Sequence, residues 1–394
     1  MRHFAFLDDE VVADLFDRRP IDFTPDSGHQ VLAVALGATL YMPGTRPALA
    51  RDVEVRGAAG VMSVVLCLED SVADEQLAEA ERNVVEQVQA LASRSTRRDA
   101  PLLFVRVRTP EQVIDLTERL GPAAARLTGF VLPKFTVHSG VALLDALAKA
   151  EAVAGLPLLA MPVLESAEIM YRESRQAALQ EVRSLLELHR DRILALRLGA
   201  ADLSGLYGLR RTRGVNVYDV GVVRDVISDV VNAFGRADGS GFVITGPVWE
   251  HFAAPERLFK PLLRATPFSD DPIGLRLRQL LITADHDELL REVVLDKANG
   301  LLGKTVIHPS HVGPVHALLV VSHEEYDDAL AITAAPGGGA SSSSYRNKMN
   351  EAGPHRAWAC GVLARAELFG VARAGRGVVD ILTAVSAQVA TCDG

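Results

Sequence analysis

Short, nearly continuous apolar runs recur along the chain, and most stop at Pro, Gly or a charged residue before helix-forming sequence begins. Eight follow in order: ATLYMP from Ala38, MSVVLCLED from Met62, PLLFVRVR from Pro101, GFVLPK from Gly129, PLLAMPV from Pro157, ILALRLG from Ile193, GFVITG from Gly241 and KTVIHP from Lys304. Apolar runs of this length read as strands buried on both faces, as in parallel sheets. Between them, Glu75 to Ala92 and Gly140 to Ala154 repeat Ala, Leu, Val and Glu at helical spacing. The alternation predicts an α/β fold, a (β/α)8 TIM barrel. A doubly wound sheet would use the same alternation. The residues ending the runs favour the barrel: Pro43, Glu69, Arg106, Arg108, Lys134, Glu165, Asp202, Thr245 and His308 would converge on closure, whereas an open sheet would spread them along an edge.

The same pattern divides the chain. Residues 1–34 read as an N-terminal extension, packed on the barrel floor or a neighbouring subunit, and residues 35–330 as the barrel. Residues 331–345, which include APGGGASSSSY, have the composition of a flexible linker or loop. Helical spacing returns in PHRAWACGVLARAELFGVA, so residues 346–394 read as a docked helical segment.

Composition narrows the partners. With 394 residues, 48% hydrophobic and 23% charged, the chain can bury a full core. A net charge of -9 gives no general reason to expect nucleic-acid or membrane partners, which favour basic faces. The acid-containing opening MRHFAFLDDE does not resemble a secretory signal, and no apolar run is long enough to span a bilayer. Three scattered cysteines, Cys67, Cys360 and Cys392, argue against a disulfide framework, and a cytoplasmic location is expected.

The strand-end acids carry the candidate chemistry. Glu165 in MPVLESAEIM and Asp202 in LRLGAADLSG end consecutive runs and could supply the hard oxygen ligands that Mg2+ prefers, with Mn2+ as the alternative metal. Helix capping or a salt bridge is the competing role for each. Glu69 and Asp70 in LCLEDSVADE could bond metal-bound water or move a proton, beside a capping role for Asp70. Arg106 and Arg108 alternate with valine in FVRVR and could clamp a carboxylate, or else serve as structural ion pairs. Lys134 in VLPKF is an active-site cation whose default role is ion pairing. His308, His311, His316 and His323 lack the usual context of a zinc site. GLYGLRRTRG could receive a phosphate-bearing group or be a solvated loop, and no G-x-x-x-x-G-K-[ST] motif occurs.

Taken together, LYMPGTRP, LCLEDSV, VRV, VLPK, MPVLESA, LGAADL, ITGPV and GKTVIHPSHV resemble the motifs of the citrate lyase beta-subunit-like family, also called the HpcH/HpaI aldolase and citrate lyase family, from about Leu40 to Ala372. The resemblance implies a (β/α)8 barrel and Mg2+ held by Glu165 and Asp202. It places Arg106 on the substrate carboxylate and Glu69 or Asp70 around the metal ligands; by their strand-end positions Pro43 and Arg108 are further candidates for the substrate site, and Glu69, Asp70 and Lys134 for catalysis. It implies cleavage or formation of a carbon-carbon bond to a small 2-oxo or 2-hydroxy acid through an enolate, with an acyl-CoA thioester as a candidate second substrate, in a homo-oligomer (trimer or hexamer). Ala38-Thr39 stands where the family usually has Arg-Ser, and Cys67 where it has Asp; Glu351 in NKMNEAGPHRAWA takes the place of a tail Asp that serves acyl-CoA proton transfer in some members. These departures leave open an aldolase with a non-CoA carbonyl acceptor, or a non-catalytic barrel subunit.

Overall fold

All eight apolar runs contain strands, and the strands close on one another. The structure, a computed structural model, describes residues 1–252 and 286–392. In it β1 (Ala38–Pro43), β2 (Ser63–Cys67), β3 (Leu102–Arg106), β4 (Gly129–Leu132), β5 (Leu159–Leu164), β6 (Leu196–Leu198), β7 (Ile244–Trp249) and β8 (Lys304–Val306) form a closed barrel in chain order. Each neighbouring pair is parallel, and β8 returns to β1 with Thr305 beside Thr39. Closure explains the continuous apolar runs: every residue of β2 and β4 is buried, inward against the barrel interior or outward against helices. Gly129 permits the β4–β5 approach, since a Cβ there would lie 1.7 Å from the Leu159 carbonyl oxygen.

Local chemistry sets the helix bounds. The helix Val137–Ala154 starts before the predicted Gly140 because Thr136 and Ser139 form a reciprocal capping box, and it ends at Gly155 in the left-handed conformation (φ 69°). Leu77–Arg94 follows a 3-10 turn at Asp74–Gln76. Pro110–Leu120 has Thr109 as N-cap, its side chain accepting from the Gln112 N–H, and Pro110 in the first turn. The arginine strand therefore ends at Arg106, and Arg108 lies in the loop beyond it.

The described chain divides into two compact units, and the division differs from the predicted boundaries. One unit comprises Thr24–His251 and Glu288–Val312 and contains the barrel. The helix His29–Ala35 belongs to it, burying Leu32, Ala33, Val34 and Ala35, so the barrel unit starts earlier than residue 35. The other unit joins Arg2–Phe23 to the described part of Gly313–Gly394. In it the strand Phe16–Arg18 pairs antiparallel with Val371–Ala372. The helices His323–Ala334 and Ala352–Phe369 share an apolar core that includes Val321, Ile332, Val362 and Ala366. Within the segment expected to be a flexible linker or loop, Ala340–Ser342 is strand, paired with Met349–Glu351. No helix among the described residues is long and apolar enough to cross a membrane.

Candidate active site

The ends of β1, β2, β3, β5, β6, β7 and β8 surround a cavity of about 530 Å³, whose wall includes Pro43, Asp70, Arg106, Glu165 and Asp202. Each charged side chain arrives where a strand turns into its loop. Arg106 is the last residue of β3, and Glu165 follows the last residue of β5. Asp202 sits in the first turn of the helix Ala200–Gly205, just after β6.

Arg106 organises the acids. Its Nη2 lies 3.0 Å from Glu165 Oε1, 2.9 Å from Glu69 Oε2 and 3.2 Å from Asp70 Oδ2. Burial opposes its charge, but Glu165, Tyr41 and Glu69 outweigh that effect and raise its pKa, so the guanidinium stays charged. Glu165 Oε1 also accepts from the backbone N–H of Lys134 at 2.9 Å. Lys134 adopts a left-handed backbone (φ 46°), unusual for a residue with a Cβ, and its N–H is aimed at this carboxylate. Its ammonium reaches Glu69, Asp70 Oδ1 at 3.3 Å and Asp202 Oδ1 at 3.8 Å. Ion pairing, the role expected from sequence, is what the side chain does.

The carboxylates are pushed apart in acidity. Burial raises the Glu165 pKa to about 7, Asp202 and Glu69 add to the rise, and Arg106 opposes it. Burial also raises Glu69, helped by its hydrogen bond with Asp70. Asp70 moves down: burial works against its charge, yet Glu69, Arg106 and Lys134 together overcome it. A raised and a lowered carboxyl side by side is the arrangement of an acid and a base.

The donor set fits a hard divalent cation. Among the described residues no hydrogen bond reaches Glu165 Oε2, which faces Gly199; a Cβ there would come within 1.9 Å of that oxygen. Glu165 and Asp202 repel each other, and a cation shared between them would remove that cost. Among the described residues no three His, Cys, Asp or Glu side chains gather as a metal cluster, so two carboxylates would leave most positions to water and substrate, as Mg2+ prefers.

Other expected site residues have further partners of their own. The Arg108 guanidinium is occupied by the loop after β2, donating to the carbonyls of Leu68 (2.8 Å) and Val72 and pairing with Asp74. It holds that loop and lines, with Glu69, Asp70 and Lys134, a second cavity of about 380 Å³. Glu351 belongs to the second unit, ending the strand Met349–Glu351, with its N–H donating to His355 Nδ1 at 3.0 Å. Thr245 lies within β7, its hydroxyl on the Leu196 carbonyl. His308 caps the turn Pro309–His311 by accepting from the Ser310 N–H. In GLYGLRRTRG, Arg211 is buried against Glu292 (2.8 Å) and Glu250 (3.3 Å), which removes it from any phosphate-binding loop. Sequence reasoning passed over Tyr41 and Arg197, which also line the cavity; an arginine inside the apolar run ILALRLG was the available signal.

Comparison with known proteins bears on the family and the fold. The family model for C-C bond lyases of the TIM-barrel fold matches residues 30–371. An L-malyl-CoA/beta-methylmalyl-CoA lyase of Cereibacter sphaeroides is 31% identical over 183 residues, 44% of this chain and 51% of that protein, so the chain spans about half the length of the curated relatives it matches. A citrate lyase from Burkholderia xenovorans shares the fold at TM-score 0.57 and 17% identity, covering 89% of this chain and 96% of its own. The protein CitE from Mycobacterium tuberculosis, solved with magnesium, acetoacetate and coenzyme A, superimposes at TM-score 0.52 with 22% identity, covering 85% of this chain and 99% of its own. The match across most of the chain, on a closed barrel of the expected strand order, establishes that the chain belongs to the C-C bond lyase family of the TIM-barrel fold.

Proposed function

We propose that the chain is a Mg2+-dependent carbon-carbon lyase or aldolase acting on a small 2-oxo or 2-hydroxy acid. The observation that carries this reading is the cluster at the barrel mouth: Glu165 presents Oε1 to Arg106 and Lys134 and leaves Oε2 open on the side of Gly199, with Asp202 near enough to repel it. Glu165 and Asp202 would hold the Mg2+ or Mn2+ ion, which supplies Lewis-acid polarisation of the substrate carbonyl when bound. Arg106, held charged among three acids, orients the substrate carboxylate and stabilises the negative charge that grows as the carbon-carbon bond breaks or forms. Glu69, whose pKa burial raises although Arg106 and Lys134 oppose the rise, binds a proton more readily than Asp70 does, and is the proposed proton carrier.

An acyl-CoA thioester is the proposed second substrate, supported by the relatives named malyl-CoA lyases. A homo-oligomer is proposed on the family resemblance. The test is calorimetric titration of Mg2+ into the wild type, Glu165→Ala and Asp202→Ala, with Mg2+-dependent deuterium exchange into pyruvate and acetyl-CoA. Loss of Mg2+ binding in both variants and exchange in the wild type are expected. Unchanged Mg2+ affinity in both would remove the metal assignment, and exchange into pyruvate alone would favour a non-CoA acceptor.

A further inference from the structure

Two arginines line the cavity, and only one has acids to answer it. Arg197 projects from β6, 1% exposed, and lies in register between Val163 of β5 and Thr245 of β7. Its Nη1 donates to Thr39 Oγ1 (3.4 Å) and contacts Met161 Sδ (3.5 Å), and its Nη2 donates to Thr305 Oγ1 (2.6 Å). The guanidinium carbon is 5.3 Å from the centroid of the Tyr41 ring. Among the described residues Nε makes no hydrogen bond, and the partners of Nη1 and Nη2 are neutral. Thr39 and Thr305 sit side by side on β1 and β8, one inward layer below Tyr41, so the guanidinium lies at the floor of the cavity whose rim carries Glu165 and Asp202.

An arginine does not solve this problem by losing its proton. A buried cation without an anion costs several kcal/mol, and interiors normally answer it with a carboxylate. Arg106, in the wall of the same cavity, shows the normal solution, with three carboxylates around one nitrogen. At Arg197 no carboxylate stands within ion-pairing distance among the described residues, while the side chain forms part of a cavity wall. The counter-ion is therefore to be supplied from the cavity.

Resting on the lyase reading above, we propose that Arg197, held by Thr39 and Thr305, forms the floor subsite for a second carboxylate of the substrate, making the substrate acid dicarboxylic. The acid bearing the 2-oxo or 2-hydroxy group would face Glu165, Asp202 and Arg106 at the rim, and the distal carboxylate would face Arg197. Arg197 acts here as a specificity-determining residue.

The probes are lactate and malate, which share a 2-hydroxy acid head and differ by one carboxylate. Their affinities are measured by calorimetry with saturating Mg2+ for the wild type, Arg197→Met and Arg197→Gln. One charge-assisted hydrogen-bonded pair corresponds to malate binding roughly ten- to hundredfold tighter than lactate in the wild type. In both variants that ratio should fall toward unity while lactate affinity stays within about twofold, a pattern that loss of structure would not give. Equal affinity for the two acids in the wild type overturns the subsite, as does an unchanged ratio in either folded variant. If neither variant folds, the wild-type ratio alone decides. Failure of both acids to bind in a Mg2+-dependent way overturns the lyase reading itself, whereas binding of both at equal strength overturns only the role of Arg197.

Discussion

Gly199→Ala tests the metal site through a single methyl group. The added Cβ would stand 1.9 Å from Glu165 Oε2, 2.5 Å from Glu165 Cβ and 2.8 Å from Glu165 Cδ. Gly199 has a negative φ (-90°), so the backbone itself accepts alanine and the effect is confined to the collision. Carbon and oxygen need more than 3 Å, so the side chain must move by over 1 Å. Overpacking of this kind costs about 1–3 kcal/mol. The carboxylate cannot yield freely, because Oε1 is held by Arg106 at 3.0 Å and by the Lys134 N–H at 2.9 Å. Moving it displaces the open oxygen and strains both anchors, so Mg2+ affinity should fall at least about tenfold, the equivalent of 1.4 kcal/mol. Gly205→Ala is the matched control, since a Cβ there meets nothing within 4 Å although the residue ends the helix that carries Asp202. Calorimetric titration of Mg2+ and urea unfolding of the three proteins measure both quantities. Wild-type Mg2+ affinity in Gly199→Ala, with the destabilisation present, would show that Glu165 Oε2 does not face the metal.

Two further outcomes follow from groups outside the metal site. Arg108→Ala should destabilise the protein by about 1–3 kcal/mol by stranding the carbonyls of Leu68 and Val72, and hydrogen exchange should lose protection across residues 68–74; unchanged protection there would mean that Arg108 does not hold the loop. Asp296, buried against Lys304 at 2.7 Å, has its pKa raised to about 6, first by burial and then by Glu292, so the folded state binds its proton more tightly than the unfolded state, where the value is 3.8. The stability that this group contributes is thus greatest below about pH 4 and is lost as pH rises to about 6, by up to about 3 kcal/mol. Urea unfolding of Asp296→Asn against the wild type from pH 4 to pH 7 should show the difference shrinking with rising pH; a difference that grows would reverse the assigned shift.

The barrel was legible because its strands are buried on both faces, and that condition writes an uninterrupted apolar run such as SVVLC or GFVL into the chain. The acids at strand ends were legible for a related reason: a charge that interrupts such a run has few structural excuses. Which way an arginine turns after its strand is another matter. Arg106 and Arg108 are two residues apart in FVRVR and share one face of the pattern, yet β3 ends at Arg106, and the loop that follows sends Arg108 to the carbonyls of Leu68 and Val72. The unit boundary was hidden because Phe16–Arg18 finds its partner in Val371–Ala372, a pairing across more than 350 residues that no local pattern records.

Arg197 reverses this logic. Inside ILALRLG it sits within an apolar strand pattern, since five of the seven positions are Ile, Leu or Ala. A charge in such a run is a conflict between local pattern and global fold, and folded proteins retain such conflicts mainly where function requires them. Thr39 and Thr305 satisfy two of its nitrogens without neutralising it. Replacing Thr39 with valine should therefore leave the charge in place but remove one of the groups that orient it. Malate binding should weaken by several-fold with lactate unaffected, a smaller loss than in Arg197→Met, because the guanidinium keeps Thr305 and the field at the cavity floor survives. Equal losses in the two variants would mean that the threonine layer, and not the charge, selects the second carboxylate.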